Sequence, residues 1–281
     1  MSERPERQAV TRRSLQRRKD SLQPTAAGDE IAVEEPLEIR VAGDTLATIM
    51  RTPGEDHFLT AGFLFAEGVI ADLADLGKIA HCGRPSDAGY GNMVDVAPGP
   101  GTALSPERAS ERRGTIVGSA CGVCGRERID QLLARLAPVL PVCSFDSGTL
   151  TRSIERLAEV QGVFARTGAV HGALALDASG QLLASGEDVG RHNAVDKVVG
   201  KLLYAGALTR LRADAQLLAV SGRTSFEIIQ KAVSARIGLV ISVSGPTSLA
   251  IDTAAAFGIT LVGFARGDAF NVYTHPGRIA G

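Results

Sequence analysis

Between residues 38 and 70 the apolar positions change from alternation to a helical repeat. Residues 38–41 alternate, Ala42-Gly43-Asp44 forms a turn, and residues 45–50 resume the alternation. That predicts two strands, closed by Pro53-Gly54. Over 55–70, Phe58, Leu59, Gly62, Phe63 and Phe65 share one broad face, the spacing of a helix. Strands are expected again over 78–82 and 92–96. The Pro- and Gly-bearing stretch 98–113 reads as a seam. Residues 147–161 are expected to form a helix capped by Ser147 or Thr149. Strands over 171–176 and 182–185 bracket Asp177-Ala178-Ser179-Gly180, a hairpin signal. A helix over 192–205 follows. Then strands at 216–220, 239–243 and 259–264 alternate with helices at 225–236 and 248–257, which predicts α/β structure with parallel pairing.

Four regions are therefore expected: a disordered basic tail (1–28), a strand-rich N-terminal subdomain (29–113), a reactive loop with a connecting helix (114–146) and a C-terminal α/β subdomain (147–281). The tail is polar and clusters Arg12, Arg13, Arg17, Arg18 and Lys19, with no apolar run after it that would make a signal peptide. Composition narrows the function classes. A net charge of −1 over 281 residues gives no bulk attraction to nucleic acid or membrane. The absence of Trp and an aromatic content of 4% argue against base-stacking platforms. No stretch reaches the ~18 apolar residues of a membrane helix. Four cysteines are too few for a disulfide scaffold, so reduced thiols in a cytoplasmic protein are expected.

Two of those cysteines fall in Cys121-Gly122-Val123-Cys124-Gly125. A short strand over 114–120 and a helix from Arg126 would place the pair on a loop near a helix start. There the helix dipole, Arg126 and Arg128 favour thiolate. Glycine after each thiol leaves it uncovered. Three chemistries suit such a pair. A zinc site would need two more ligands, and no second close-spaced pair exists in the chain. A thioredoxin-like redox pair would normally sit in a different surrounding pattern. A sulfur carrier would hold persulfide sulfur on one thiolate and use the other to resolve or relay it. A structural pair on a turn is the alternative without chemistry. Cys82 and Cys143 read as structural.

The second candidate is an echo. Ser221-Gly222-Arg223-Thr224-Ser225 and Ser244-Gly245-Pro246-Thr247-Ser248 each follow a strand and open a helix, and a third strand ends in Phe264-Ala265-Arg266-Gly267-Asp268. Neighbouring parallel strand ends form one crevice, and helix N-termini with Arg suit phosphate. Simple capping by each Ser or Thr is the competing explanation. The third candidate, Glu187-Asp188-Val189-Gly190-Arg191-His192-Asn193-Ala194-Val195-Asp196-Lys197, gathers charged groups around a helix start. Asp188 could cap that helix, and Arg191 with His192 could bind an anion or move a proton. His171 is equally a half-buried structural histidine or a functional one.

These segments, with Glu35-Pro36-Leu37-Glu38-Ile39, Gly62-Phe63-Leu64-Phe65-Ala66-Glu67-Gly68 and the run from Thr167 to His171, resemble the FdhD family of formate dehydrogenase accessory proteins. The resemblance runs from about residue 30 to the C-terminus. It implies a cytidine-deaminase-like three-layer α/β/α fold with a mixed sheet, in a cytoplasmic homodimer. It also implies a sulfurtransferase role. Cys121 would take persulfide sulfur from a cysteine desulfurase and pass it to the molybdenum of bis(molybdopterin guanine dinucleotide), for formate dehydrogenase. Cys124 matches the second family cysteine. Phe264, Ala265, Arg266, Gly267, Asp268 and Ala269 match the cofactor-binding stretch, with Ser221, Gly222, Arg223, Arg191 and His192 as further candidates for that site. The cofactor would be bound as substrate, with no permanent cofactor or metal. The deaminase zinc signature is absent, since Gly172-Ala173 follows His171 and Ala120 precedes Cys121. Two other readings remain: a chaperone that delivers the cofactor without a covalent step, and a zinc-stabilised nucleotide-binding protein.

Overall fold

The computed structural model describes residues 8–17, 25–83, 90–102, 104, 136–139, 143–209 and 212–280. Cys121, Cys124 and the helix expected after them lie outside the described residues.

At the centre is a six-stranded mixed sheet. Its strands are β8 (His171–Leu176), β9 (Leu182–Asp188), β10 (Leu217–Val220), β11 (Leu239–Ser242), β12 (Thr260–Arg266) and β13 (Ala269–Val272), in the order β13-β12-β11-β10-β8-β9. The predicted parallel pairing holds for β10 with β11 and β11 with β12, while β8 runs antiparallel to β9 and β10. The strands β10 and β11 are apolar at nearly every position because both sheet faces are covered. Leu174, Leu176, Leu217, Ala219, Leu239 and Ile241 pack with Leu150 and Leu157 of α2 (Ser147–Val160). Ala173, Ala175, Leu218, Val220, Val240 and Leu261 join the larger core. That core includes apolar residues of α1 (Asp56–Ala66), α4 (Arg191–Tyr204), α5 (Phe226–Ser234) and α6 (Ser248–Phe257). A short helix α3 (Gly162–Thr167) connects α2 to β8.

A second sheet has the order β4-β3-β6-β5, from β3 (Glu35–Val41), β4 (Asp44–Arg51), β5 (Leu76–His81) and β6 (Met93–Pro98). Leu37, Ile39 and Val41 are buried between Glu38 and Arg40, the alternation of a strand with one core face. It shares the larger core through α1, which lies against α4 at Gly62 and Gly200. A Cβ on Gly62 would come 1.9 Å from the Asp196 carbonyl oxygen, and one on Gly200 2.0 Å from that of Phe58. Only glycine lets the two backbones approach so closely.

Three local expectations are corrected. The tail expected to be disordered forms β1 (Val10–Arg17), paired antiparallel with β2 (Thr25–Ala32). The charge cluster masked a strand whose backbone groups are satisfied by β2. The Glu30 carboxylate then ties the hairpin to Arg166 of α3 through two bonds of 3.0 Å. Second, α2 is capped by Asp146, whose carboxylate accepts from the Thr149 N–H at 2.9 Å, and not by Ser147 or Thr149. Third, α1 stops at Ala66 and does not reach Ile70. A short parallel pair of β7 (Phe145–Asp146) with β14 (Ile279–Ala280) brings the C-terminal end against the start of α2. Cys82 and Cys143 are half-buried free thiols, and burial raises the pKa of Cys143. Among the described residues, no helix is long and apolar enough to cross a membrane.

Candidate functional site

The C-terminal ends of β10, β11 and β12 are stitched into one rim. The Thr224 N–H donates to the Gly245 carbonyl (3.3 Å), the Thr247 N–H to that of Thr224 (3.0 Å), and the Phe264 N–H to that of Ser244 (3.1 Å). Ser242 Oγ donates to the Gly222 carbonyl at 2.6 Å and accepts from the Ser244 N–H at 3.0 Å. Thr247 caps α6 by accepting from the Ala250 N–H. Capping thus explains part of the Ser/Thr pattern. Ser225, at the corresponding place before α5, does not cap its helix.

The antiparallel strand β8 starts at this same rim. Ser221 Oγ accepts from the Gly172 N–H at 2.9 Å, beside His171. A Cβ on Gly222 would lie 3.2 Å from His171 Nδ1 and 3.5 Å from Arg191 Cβ. Ser221, Gly222, His171 and Arg191 are therefore neighbours, although they are up to 51 positions apart in the chain by their numbers. Arg191 is the first residue of α4, and its Nε is buried with no hydrogen-bond partner among the described residues. Exposed Arg223 adds charge nearby. Burial, then the Arg191 guanidinium, hold His171 below the ordinary histidine range, with a smaller push from Arg223.

His192 faces α5. Its Nε2 lies 3.0 Å from Ser225 Oγ, and Ser225 Oγ donates to Glu227 Oε2 at 2.7 Å. Burial, reinforced by Arg191 and Lys231 and opposed by Glu227, lowers the His192 pKa to about 4. Desolvation raises the Glu227 pKa, but the charge of His192 when protonated, the Ser225 hydroxyl bond and Arg191 outweigh it, so the pKa is lowered and Glu227 is ionised at neutral pH. At neutral pH the contact of His192 with Glu227 at 3.4 Å is thus not an ion pair. The network assigns the proton to Nε2, donated toward Ser225. The Ser–His–Glu grouping is not a nucleophilic relay, since serine and carboxylate meet the same ring nitrogen.

The stretch 187–197 divides in two. Arg191 and His192 reach the rim, while the other polar groups are structural. The Asp188 side chain is fully buried and accepts from Thr52 N–H, Gly190 N–H and Asn193 Nδ2, and pairs with Lys197 Nζ at 2.8 Å. It braces the turn from inside and is not the helix cap, a position taken by Gly190. Lys197 Nζ also donates to the carbonyls of Thr52 and Glu187. Asp196 pairs with Lys231 of α5 at 2.6 Å. Glu187 caps α3 through the N–H groups of Val163 and Phe164. The clustering of charge therefore marks a buried junction between β4, α4 and α5 as much as a site.

Phe264 is 48% exposed and held at φ +53, in the left-handed region that bulky residues avoid. Its ring lies against Gly245, where a Cβ would come within 2.8 Å of Cζ. Arg266, Gly267, Asp268 and Ala269 are exposed at the β12–β13 turn, whereas Ala265 is buried in the core. The rim thus combines an exposed aromatic face, guanidinium groups and the N-termini of α4, α5 and α6. That set suits a planar ring joined to phosphate. Among the described residues no three His, Cys, Asp or Glu side chains gather as metal ligands. Glu227 and Lys231 were missed from the sequence, and Ser225 was named only as part of the repeated strand end. Ser225 and Glu227 sit two apart at a helix start, a signal that reads as ordinary capping.

A family model described as the FdhD/NarQ family matches residues 32–280. The sulfur carrier protein FdhD of Anaeromyxobacter dehalogenans (strain 2CP-C) is 52% identical over 258 residues, covering 90% of each chain. The protein of the same name from Mycobacterium tuberculosis (strain H37Rv) is 44% identical over 258 residues, covering 89% of this chain and 92% of its own. A crystal structure of a protein assigned as a formate dehydrogenase accessory protein, from Desulfotalea psychrophila, has a TM-score of 0.72 at 24% identity. The match covers 96% of this chain and 98% of that one, and it shows a common fold.

Proposed function

Because the chain belongs to the FdhD/NarQ family, we propose that it carries sulfur for the maturation of a molybdenum enzyme. The observation that carries this reading is the 52% identity, over 90% of both chains, to a protein named for sulfur carriage. Cys121 is the carrier. Its thiolate attacks the terminal sulfur of a cysteine desulfurase persulfide, the donor S–S bond breaks, and the donor cysteine leaves as thiolate. Sulfur changes hands without net oxidation. Cys124 resolves or relays it. The acceptor is the molybdenum of bis(molybdopterin guanine dinucleotide), bound as substrate and destined for formate dehydrogenase.

The rim supports the cofactor end of this reading. Arg191 brings a half-buried guanidinium to the N-terminus of α4, suited to a pyrophosphate oxygen. Phe264 offers its face to a planar base. His192, neutral near pH 7, adds no charge and is held by Ser225. Ser221, Gly222 and Arg223 shape the approach. We infer further that the mixed α/β fold is layered as in cytidine deaminases and that the protein works as a cytoplasmic homodimer. Formate dehydrogenase activity in cells producing only Cys121→Ala tests the proposal and should be lost with the variant folded. Full activity with Cys121→Ser would replace it with delivery by a non-covalent chaperone.

A further inference from the structure

Thr52 follows β4 and is 2% exposed. All three of its hydrogen-bonding groups are spent on the stretch 187–197. Its N–H donates to Asp188 Oδ2 at 3.2 Å, its carbonyl accepts from Lys197 Nζ at 3.1 Å, and its Oγ1 accepts from the Val189 N–H at 3.0 Å. These partners lie 136 to 145 positions away in the chain. Thr52 is itself held from behind. Arg51, fully buried, forks onto Asp56 of α1 at 2.9 and 3.1 Å and donates to the Gly91 carbonyl at 2.9 Å. The second sheet and α1 therefore fix where the Thr52 hydroxyl stands.

What the hydroxyl holds is the turn that launches α4. Arg191 is the first residue of that helix, and Gly190 before it supplies no side-chain cap. Glycine is required at 190, since a Cβ would come 2.8 Å from Asn193 Nδ2. Glycine also leaves the backbone there free to turn unless outside groups tie it. The Gly190 N–H reaches Asp188 Oδ1 at 2.9 Å, and Asn193 Nδ2 bridges that oxygen and the Met50 carbonyl at 2.8 Å each. The peptide N–H of Val189 is tied by Thr52 Oγ1. Immediately after this turn stands the half-buried Arg191, whose charge acts on both His171 and His192.

We propose that Thr52 is a positioning residue for the rim: its hydroxyl sets the Val189–Gly190 turn, and so the direction in which Arg191 presents its guanidinium to a pyrophosphate oxygen. Thr52 acts through Arg191 and not on the ligand. The identity of the anion rests on the reading of the rim as the cofactor site, whereas the placement of Arg191 does not. Valine keeps the shape of threonine and lacks the acceptor, so Thr52→Val isolates the hydroxyl.

The test compares the full-length wild type with Thr52→Val, Thr52→Ser and Arg191→Gln. It reads guanosine diphosphate binding by isothermal titration calorimetry and the pH titration of the His171 ring by NMR. Burial, Arg191 and Arg223 lower the His171 pKa, and Asp188 raises it, so moving the Arg191 guanidinium away should raise it. Arg191→Gln sets the full size of that rise. Thr52→Val should shift His171 in the same direction and weaken guanosine diphosphate binding about tenfold. Thr52→Ser, which returns the hydroxyl, should restore both. In the Arg191→Gln background, Thr52→Val should add nothing to either readout, because both changes act through one group. Ile39→Val truncates a buried residue of β3 and leaves Thr52 in place; it should lower the melting temperature and move neither readout. A Thr52→Val protein with a lower melting temperature and both readouts unmoved would overturn the proposal. So would a further shift in the double variant, or no rescue by Thr52→Ser. Wild-type protein that does not bind guanosine diphosphate would remove the cofactor reading of the rim, and an unmoved His171 in Thr52→Val would still overturn the positioning role.

Discussion

Lys197→Met tests whether the charged stretch at the start of α4 is a buried brace. Lys197 is 2% exposed and its Nζ lies 2.8 Å from Asp188, whose side chain is fully buried. At an effective dielectric near 20, that separation corresponds to a gross attraction of about 6 kcal/mol. Desolvation of the two ions, several kcal/mol each, offsets most of it, so the pair adds little net stability. Removing one partner is different. Asp188 would keep its three neutral donors but lose its counter-ion, and the carbonyls of Thr52 and Glu187 would each lose a donor. The expected loss is about 3–5 kcal/mol, against a total of about 5–15 kcal/mol for a typical domain. Urea unfolding followed by circular dichroism reads it as a fall in midpoint at unchanged slope. The double variant Asp188→Asn/Lys197→Met should recover part of the loss, because no bare charge remains. A loss below about 1 kcal/mol for Lys197→Met would refute the reasoning and return Lys197 to the list of groups held for chemistry.

His192 titrates near 4 when folded and near 6.5 when unfolded, so the unfolded chain takes up the proton first as pH falls. Stability should therefore drop between about pH 6.5 and 4, by up to about 3 kcal/mol, and His192→Gln should flatten that slope; an unchanged pH profile would contradict the buried neutral ring. Phe264→Gly relieves a left-handed backbone that costs a bulky residue about 1–2 kcal/mol, yet removes the stacking face. Thermal stability should hold or rise while affinity for guanosine diphosphate falls about tenfold, and the opposite pairing of results would remove Phe264 from the site. Gly200→Ala would place a methyl 2.0 Å from the Phe58 carbonyl oxygen. It should lower the urea midpoint by the equivalent of about 1–3 kcal/mol or more, and a neutral result would mean that α1 and α4 do not touch there.

The parts of the fold that could be read from sequence are those where one local rule acts alone. The strand β8 and helix α6 match their expected bounds, because an unbroken apolar run and a Thr-capped periodic run each have one solution. The three strand ends were legible because Ser, Gly and Thr repeat after two of the apolar runs and Arg-Gly-Asp follows the third, and the sheet brings them together. What failed depended on distant partners. Asp188 looked like a cap because its role is set by Thr52, 136 residues away. The tail looked disordered because its charge pattern says nothing of β2, and its anchor Arg166 is 136 residues beyond Glu30. His192 reads as an anion ligand or proton carrier from its position at a helix start, but packing against α5 gives it Ser225 and holds it neutral. Cys121 and Cys124 read as chemistry from two glycines and two arginines in their own neighbourhood, and both lie outside the described residues.

Sulfur carriage on Cys121 is tested most directly by intact-mass spectrometry of the full chain after incubation with an active cysteine desulfurase and cysteine. The account predicts a gain of about 32 Da, one sulfur atom, that is lost on reduction and absent from Cys121→Ala. No gain in the wild-type protein, or an equal gain in the variant, would contradict it.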